Sequence, residues 1–278
     1  MVGEAVNTHA ASVPTARSGH AALTRPAEPH HRDGGVVFTN LTVKLRKLSG
    51  ILAVSAWRAA LCRHRVAAGV EHAAVLRQLA DCQTVVDIGA NRGQFALVAR
   101  QCFPAARVVS FEPLPGPAVV YRAVFAGDAR ARLIEAAIGS QAGEATIHLS
   151  ARDDSSSLLP ITARQNALFP GTAGTGTATI RVARLADHVP AEIIMPPALL
   201  KLDVQGFELQ ALAGCEDVLA RFAWVYVECS FVELYAGQAF ADAVIAWLRE
   251  RGFVLRGVYN MAYDGDGRAV QADFLFGR

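Results

Sequence analysis

The fold prediction for this chain starts from one stretch of sequence, Val85-Val86-Asp87-Ile88-Gly89-Ala90-Asn91-Arg92-Gly93. Its apolar half predicts a buried strand, and its two glycines predict a tight turn that lets backbone N–H groups approach a ligand. The next apolar run ends in Ser110-Phe111-Glu112-Pro113, so an acid follows the neighbouring strand. A carboxylate there can accept hydrogen bonds from both hydroxyls of a ribose. Together the two stretches predict a nucleoside site.

The glycine spacing distinguishes between two nucleoside cofactors. A nicotinamide dinucleotide needs the pattern G-x-G-x-x-G, but the three positions hold Gly89, Asn91 and Gln94. Asp87 precedes the turn and would repel a pyrophosphate, whereas it would attract an ammonium and a sulfonium. The pattern therefore favours S-adenosylmethionine, with Asp87 near its methionine end and Glu112 at its ribose. The alternative is an ordinary strand–turn–helix whose glycines are only turn residues.

Composition limits the class of protein. The 278 residues, 52% of them hydrophobic, suffice for a single α/β domain with extensions. A net charge of +2 is too small to indicate a nucleic-acid partner. The five cysteines form no C-x-x-C pair, which favours free thiols in a reducing compartment. No apolar run approaches the roughly 20 residues of a membrane span, and no signal peptide is recognisable. We expect a soluble, cytoplasmic protein.

The N-terminal region differs from the rest of the chain. Residues 1–40 are predicted to be a disordered tail because they lack periodicity. Residues 41–69 are predicted to be a helical extension, in which residues 41–65 carry basic side chains and no acid. Small and aliphatic residues there form one helical stripe: Leu41, Leu45, Leu48, Leu52, Ser55 and Ala59. Weak contact with an anionic membrane surface is one interpretation, and packing on the domain, which we favour, is the other.

From residue 70 to residue 278, helices alternate with strands. The predicted strands include 84–88, 107–111, 133–139, 144–149, 199–203 and 224–228, and a terminal hairpin joins 253–258 to 270–276. The hairpin predicts an antiparallel strand added to a parallel sheet. Residues 150–177 are predicted to be a long irregular segment. Such a segment within a compact domain is usually a functional loop. Within it, the polar run 153–158 is predicted to fold over the hydroxyls of a substrate.

From about residue 70 onward, the chain resembles the FkbM-type S-adenosylmethionine-dependent methyltransferases. The resemblance lies in residues 86–93, Phe111-Glu112-Pro113, Ala137-Ile138-Gly139 and Leu200-Lys201-Leu202-Asp203-Val204-Gln205-Gly206-Phe207-Glu208. Many family members carry an acid at the position of Gln205. The resemblance implies a Rossmann-like, seven-stranded, mostly parallel sheet with an antiparallel C-terminal strand and helices on both faces. It also implies a hydroxyl acceptor on a sugar, glycolipid or natural product.

The predicted cofactor-binding residues combine the turn, the acid and the motifs of the resemblance. They are Asp87, Gly89, Asn91, Gly93, Glu112, Pro113, Ala137, Ile138 and Asp203. Other cofactor-dependent classes remain as alternatives: a nicotinamide-dependent oxidoreductase, or a scaffold that binds a nucleoside without catalysis.

Methylation of a hydroxyl benefits from a general base, since a sugar hydroxyl is a poor nucleophile at neutral pH. Ligands of open α/β sheets bind beyond the carboxyl ends of the strands. Asp203 is therefore the first candidate for the base or substrate anchor, and capping of the following helix is its alternative role. Glu228 and His148 are further candidates. Lys201 lies within a strand, where its charge needs a partner, and Glu208 is predicted either to orient the loop or to be solvated.

A metal ion is not predicted. Asp203 could hold Mg²⁺, but the Asp-Asn pair expected after the fifth strand of metal-dependent catechol-type relatives is replaced by Glu228-Cys229-Ser230. The predicted partner is a small-molecule or glycoconjugate acceptor, whose identity the sequence leaves open along with the oligomeric state.

Overall fold

The computed structural model describes residues 45, 47–79 and 81–278. The predicted tail, residues 1–40, lies outside the described residues. Within the described residues, the helices around the sheets are α1 (Ser55–His64), α2 (Ala73–Leu76), α3 (Gln94–Cys102), α4 (Pro115–Val124), α5 (Ala163–Leu168), α6 (Glu208–Ala213) and α7 (Ala241–Glu250), and residues 47–53 form a helical stretch before α1. No helix within this described part of the chain is long and apolar enough to cross a bilayer.

Ten strands form two sheets. In chain order they are β1 (Thr84–Ile88), β2 (Arg107–Phe111), β3 (Ala131–Ile134), β4 (Ala137–Ile138), β5 (Gly143–Ser150), β6 (Gly174–Ala183), β7 (Ala198–Leu202), β8 (Trp224–Ser230), β9 (Val254–Tyr263) and β10 (Ala269–Gly277). The large sheet has the order β3-β2-β1-β7-β8-β10-β9, and the small sheet has the order β4-β6-β5. Strands β3, β2, β1, β7 and β8 run parallel, whereas β10 is antiparallel to β8 and β9. The predicted fold class is confirmed.

The large sheet is covered on both faces, which is why β1 and β7 are apolar along most of their length. Consecutive residues of a strand point to opposite faces. Val86 accordingly packs in one core with residues of α6 and α7, and Val85 packs in the other with residues of α1, α3 and α4. The two apolar layers fix the register of β1 between β2 and β7.

That register places the functional residues in one row. Ile88 lies opposite Phe111 of β2 and Leu202 of β7. The residues that follow these three, Gly89, Glu112 and Asp203, therefore leave the sheet side by side at its carboxyl edge.

Two predicted segments differ from the structure. The expected strand 133–139 is divided, because β2 ends at Phe111 and offers no partner beyond Ile134. Ala137 and Ile138 instead pair with β6 in the small sheet. Residues 150–177 are not irregular throughout, since they contain a 3₁₀ turn (Asp153–Ser155), helix α5 and the start of β6. A β-bridge between Ile161 and Tyr235 fixes this insertion to the segment that follows β8.

The N-terminal helix packs on the domain through a different face from the predicted one. Val54 has an extended backbone and separates α1 from the helical residues 47–53, which shifts the phase of the pattern. As a result, Leu48 and Leu52 are each 43% exposed, whereas Trp57 is 3% exposed and donates from Nε1 to the carbonyl of Leu97 at 3.0 Å. The packing interpretation is thus supported, but the predicted stripe is wrong.

Replacement of Trp57 by alanine should lower the free energy of unfolding by about 3 kcal/mol, because a large buried side chain and its hydrogen bond are lost. Leu52→Ala is the matched control and should change it by less than about 0.5 kcal/mol, since Leu52 is exposed. Urea unfolding of both variants measures the difference. Equal losses would show that α1 does not pack through Trp57.

Candidate active site

The turn after β1 requires glycine at two positions. Gly89 has φ +78°, and a Cβ there would lie 1.8 Å from the carbonyl oxygen of Asp203. Gly93 has φ +93°, and a Cβ there would lie 2.6 Å from the ring of Phe125. The backbone N–H groups of Gly89 and Ala90 both donate to the carbonyl of Phe111 at 3.0 Å. The glycines therefore allow β1, β2 and β7 to converge at the turn, beyond their role in bending the chain.

Glu112 lies at the edge of this turn and is held by backbone donors. Its Oε2 accepts from the N–H of Asn91 at 2.9 Å, and its Oε1 accepts from the N–H of Leu114 at 2.8 Å. Burial raises the pKa of Glu112 to about 7, although these two hydrogen bonds oppose the shift. Each carboxylate oxygen keeps a second acceptor site. Glu112 can therefore bind two further donors, such as the two hydroxyls of a ribose.

A cavity of about 350 Å³ opens beside Glu112, within the usual range for small-molecule sites. Of the predicted cofactor residues, it is lined by Gly89, Asn91, Glu112, Pro113, Ala137, Ile138 and Asp203. The polar run 153–158 also contributes Asp153, Asp154, Ser156, Ser157 and Leu158. Asp87, Gly93, Glu228 and His148 are not among its lining residues. The structure thus brings most, but not all, of the predicted site together.

Asp87 lies beneath the turn, fully buried, and this corrects the expectation that it faces the cofactor. Its Oδ1 is 3.0 Å from Nζ of Lys201, the residue opposite it on β7. The same Nζ donates to the carbonyl of Gly89 at 3.0 Å. Burial lowers the pKa of Lys201, but the carboxylates of Asp87 and Asp203 outweigh this effect and raise it. A charge inside a strand needs such a partner, so Asp87 acts on the site through Lys201.

The loop after β7 holds Asp203 at the cavity. The side chain of Asp203 is 38% exposed, and its Oδ1 accepts a hydrogen bond from Nε2 of Gln205 at 2.7 Å. Gln205 has φ +56°, and its Oε1 accepts from the hydroxyl of Tyr235 at 2.6 Å. Asp203 does not have the helix-capping role considered for it, since α6 has no side-chain cap. Oε1 of Glu208 accepts from the loop N–H groups of Val204 and Gly206 at 3.1 Å each. Glu208 therefore orients the loop, one of its two predicted roles.

The other two candidate bases are placed differently. Glu228 accepts from Nε2 of Gln271 at 2.8 Å and from Nε2 of Gln205 at 3.3 Å. Burial, together with the carboxylates of Asp203 and Asp273, raises the pKa of Glu228 well above its usual value. Glu228 is also absent from the cavity lining, so it is placed away from an acceptor bound there. His148 lies on β5, where its backbone forms a bridge with Ser157, and His148 itself does not line the cavity.

Sequence reasoning missed the wall contributed by the N-terminal segment. Lys47, Ile51, Gly69, Glu71 and His72 line the cavity although they precede β1 in the chain. The N–H of Gly69 donates to the carbonyl of Gln94 at 3.0 Å and fixes the segment to the start of α3. These residues form no motif with the turn, so the sequence contains no local signal for them.

The strand order and the acid after β2 define a class I methyltransferase. A family model described as the methyltransferase FkbM domain matches residues 87–255. The chain belongs to this family. The match confirms the predicted enzyme class, a methyltransferase that uses S-adenosylmethionine, and does not favour the oxidoreductase alternative.

Curated relatives agree with this assignment. The chain is 29% identical over 167 residues to the 2-O-methyltransferase NoeI of Sinorhizobium fredii (strain NBRC 101917 / NGR234), a match covering 58% of this chain and 69% of the relative. It is 28% identical to the 31-O-demethyl-FK506 methyltransferase FkbM of Streptomyces tacrolimicus, with 62% of this chain and 72% of the relative covered. Among solved structures, cofactor-bound Rv0187 from MTB is 17% identical, with 89% and 98% coverage and a TM-score of 0.44.

Glu112→Gln should weaken the binding of S-adenosylmethionine at least about tenfold, because two charge-assisted hydrogen bonds to the ribose are lost. The wild-type affinity should also fall as the pH drops through about 7, where the raised pKa of Glu112 lets this carboxylate take up a proton. Calorimetry between pH 6 and pH 8 measures both effects.

The matched control is Glu135→Gln, which removes an exposed carboxylate paired with Arg122. It should leave the affinity and its pH dependence unchanged. Normal cofactor binding by Glu112→Gln would refute the ribose role.

Proposed function

We propose that this enzyme methylates a hydroxyl oxygen of a small-molecule or glycoconjugate acceptor, and that Asp203 accepts the proton of that hydroxyl. The position of Asp203 carries the proposal: it is a partly exposed carboxylate at the cavity, in the same row as Gly89 and Glu112. Two relatives, a 2-O-methyltransferase and a 31-O-demethyl-FK506 methyltransferase, support an oxygen acceptor.

S-adenosylmethionine, when bound, supplies an activated methyl group. Placement of the acceptor and removal of its proton are then the remaining tasks of the protein. The residues around the cavity suit the cofactor: Glu112 offers free acceptor sites for the ribose, and Ala137 and Ile138 offer an apolar surface for the base. Gly89, which has no side chain, leaves the turn between these surfaces open.

Asp203 is the carboxyl best suited to act as the base. Its exposed fraction allows contact with the acceptor, whereas Glu208 is committed to two backbone N–H groups and Glu228 is absent from the cavity lining. The amide of Gln205 holds Oδ1 of Asp203, and Nζ of Lys201 lies 3.9 Å from its Oδ2. Both contacts hold the carboxylate of Asp203 in place at the cavity.

The polar run 153–158 is proposed as a wall of the acceptor site. Asp153 pairs with the guanidinium of Arg92 at 2.5 and 3.0 Å, and Ser157 donates from Oγ to the carbonyl of Gln205 at 2.6 Å. These contacts join the run to the turn after β1 and to the loop that carries Asp203. The wall therefore lies where an acceptor hydroxyl must pass to reach Asp203.

The remaining proposals concern the environment and partners of the protein. A cytoplasmic location is supported by the five cysteines, all of which are unpaired. Contact with a membrane surface through residues 41–65 is supported by the exposed side chains of Leu45, Leu48 and Leu52. A reaction without a metal ion remains our proposal, on the ground that β8 ends in Glu228-Cys229-Ser230 and not in an Asp-Asn pair.

Mass spectrometry of reactions with isotope-labelled S-adenosylmethionine tests the acceptor class. Incubation with an extract of polar glycoconjugates and natural products should give a product that carries one labelled methyl group on oxygen. Fragmentation locates the methyl group. A label found on nitrogen or carbon would contradict the proposal.

Asp203→Asn should lower kcat about 100-fold or more, because the general base is lost. The dissociation constant of the cofactor should change by less than about threefold. Glu228→Gln is the matched control, and it should lower kcat by less than about tenfold, since Glu228 does not line the cavity. Steady-state kinetics with the acceptor identified above measures both. If Glu228→Gln lowers kcat more than Asp203→Asn does, the general base is Glu228.

A further inference from the structure

The N-terminal wall of the cavity contains an ion pair that the family match leaves out. Lys47 and Glu71 both line the cavity, and both precede residue 87, where the family match begins. Nζ of Lys47 lies 2.9 Å from Oε1 of Glu71. Two opposite charges therefore stand side by side on a surface that faces the cofactor site.

The position of the Lys47–Glu71 pair relative to Glu112 indicates which part of a bound nucleoside the pair would contact. Glu112 follows β2, on one side of β1, whereas β7 and β8 lie on the other side. His72, the neighbour of Glu71, packs edge-on against Phe95 of α3 and Tyr226 of β8, with ring centroids 5.4 and 5.6 Å away. Glu112, Gly89, Lys47 and Glu71 line one cavity, so a nucleoside whose ribose contacts Glu112 and whose 5′ substituent crosses Gly89 would meet the Lys47–Glu71 wall.

Both residues of the pair can form further hydrogen bonds: Glu71 as an acceptor and Lys47 as a donor. Oε2 of Glu71 is buried and has no hydrogen-bond partner among the described residues. Burial raises the pKa of Glu71, but hydrogen bonds from its own backbone and from Lys47 outweigh this and hold the pKa below its usual value. The Glu71 carboxylate therefore stays ionised and lacks a donor. Lys47 has three ammonium protons, of which Glu71 uses one.

We propose that Lys47 and Glu71 bind the amino-acid end of the cofactor, Lys47 its α-carboxylate and Glu71 its α-ammonium. An α-amino acid carries these two charges on one carbon, so an adjacent cation and anion on the protein match it as a pair. The proposal rests on the cofactor assignment and on the ribose role of Glu112. It gives residues outside the family domain a part in cofactor binding and deepens the proposed function at its donor end.

The comparison of two nucleosides tests the pair directly. S-adenosylhomocysteine and 5′-methylthioadenosine share the adenosine and a neutral sulfur, but the second lacks the amino-acid group. Calorimetry should show that Lys47→Ala and Glu71→Gln each weaken S-adenosylhomocysteine about tenfold, the loss of one charge-assisted hydrogen bond. Both variants should bind 5′-methylthioadenosine as the wild type does, which also shows that they are folded.

Two control variants separate this inference from the assignments beneath it. Glu216→Gln removes a carboxylate that pairs with Arg251, a residue absent from the cavity lining, and should bind both nucleosides normally. Glu112→Gln should weaken both nucleosides by the same factor, because both carry the ribose.

Equal losses for the two nucleosides in the Lys47 and Glu71 variants would overturn the inference, since the pair would then be structural. Unchanged binding of S-adenosylhomocysteine would overturn it as well. If the wild-type protein binds neither nucleoside, the cofactor assignment itself fails.

Discussion

The buried contact between Lys201 and Asp87 is the interaction on which the site depends. One ammonium group lies 3.0 Å from Oδ1 of Asp87 on β1, 3.0 Å from the carbonyl of Gly89 and 3.9 Å from Oδ2 of Asp203. It therefore ties the strand that carries the turn to the strand that carries the candidate base. Loss of either partner would leave an unpaired charge in the middle of a sheet, which costs several kcal/mol. The register of β1 and β7 makes this pairing possible, because it places the two side chains opposite each other.

Burial gives the acids of the site different chemical roles. Glu208 and Glu228 are withdrawn from solvent, and their pKa values are raised, Glu208 to about 7. Asp203 stays partly exposed and is held by an amide and an ammonium group. The position of Gln205 between Asp203 and Glu228 is important here, since an acid at this position would place a third carboxylate against the other two. Gln205 thus gives Asp203 a neutral donor as its neighbour.

The N-terminal segment completes the cavity that the domain leaves open. Trp57 fixes α1 to α3 through the carbonyl of Leu97, and the N–H of Gly69 fixes the following chain to Gln94. These contacts position Lys47 and Glu71 above the turn after β1. A segment that is remote from the motifs along the chain is therefore close to them in space.

Some elements of the structure can be predicted from the sequence, because they depend on patterns of neighbouring residues. The apolar runs ending at Ile88 and Phe111 predicted two strands, because strand burial depends on neighbouring residues. The glycines of the turn and the acid at 112 predicted the nucleoside site, because turn chemistry is local as well. Tertiary structure alone decided that Asp87 faces Lys201 and not the cavity, and that 133–139 is shared between two sheets. It also decided that Trp57, and not Leu52, is the packing face of the N-terminal helix. Each of these outcomes depends on which residue of a distant strand or helix lies opposite, and no local pattern carries that information.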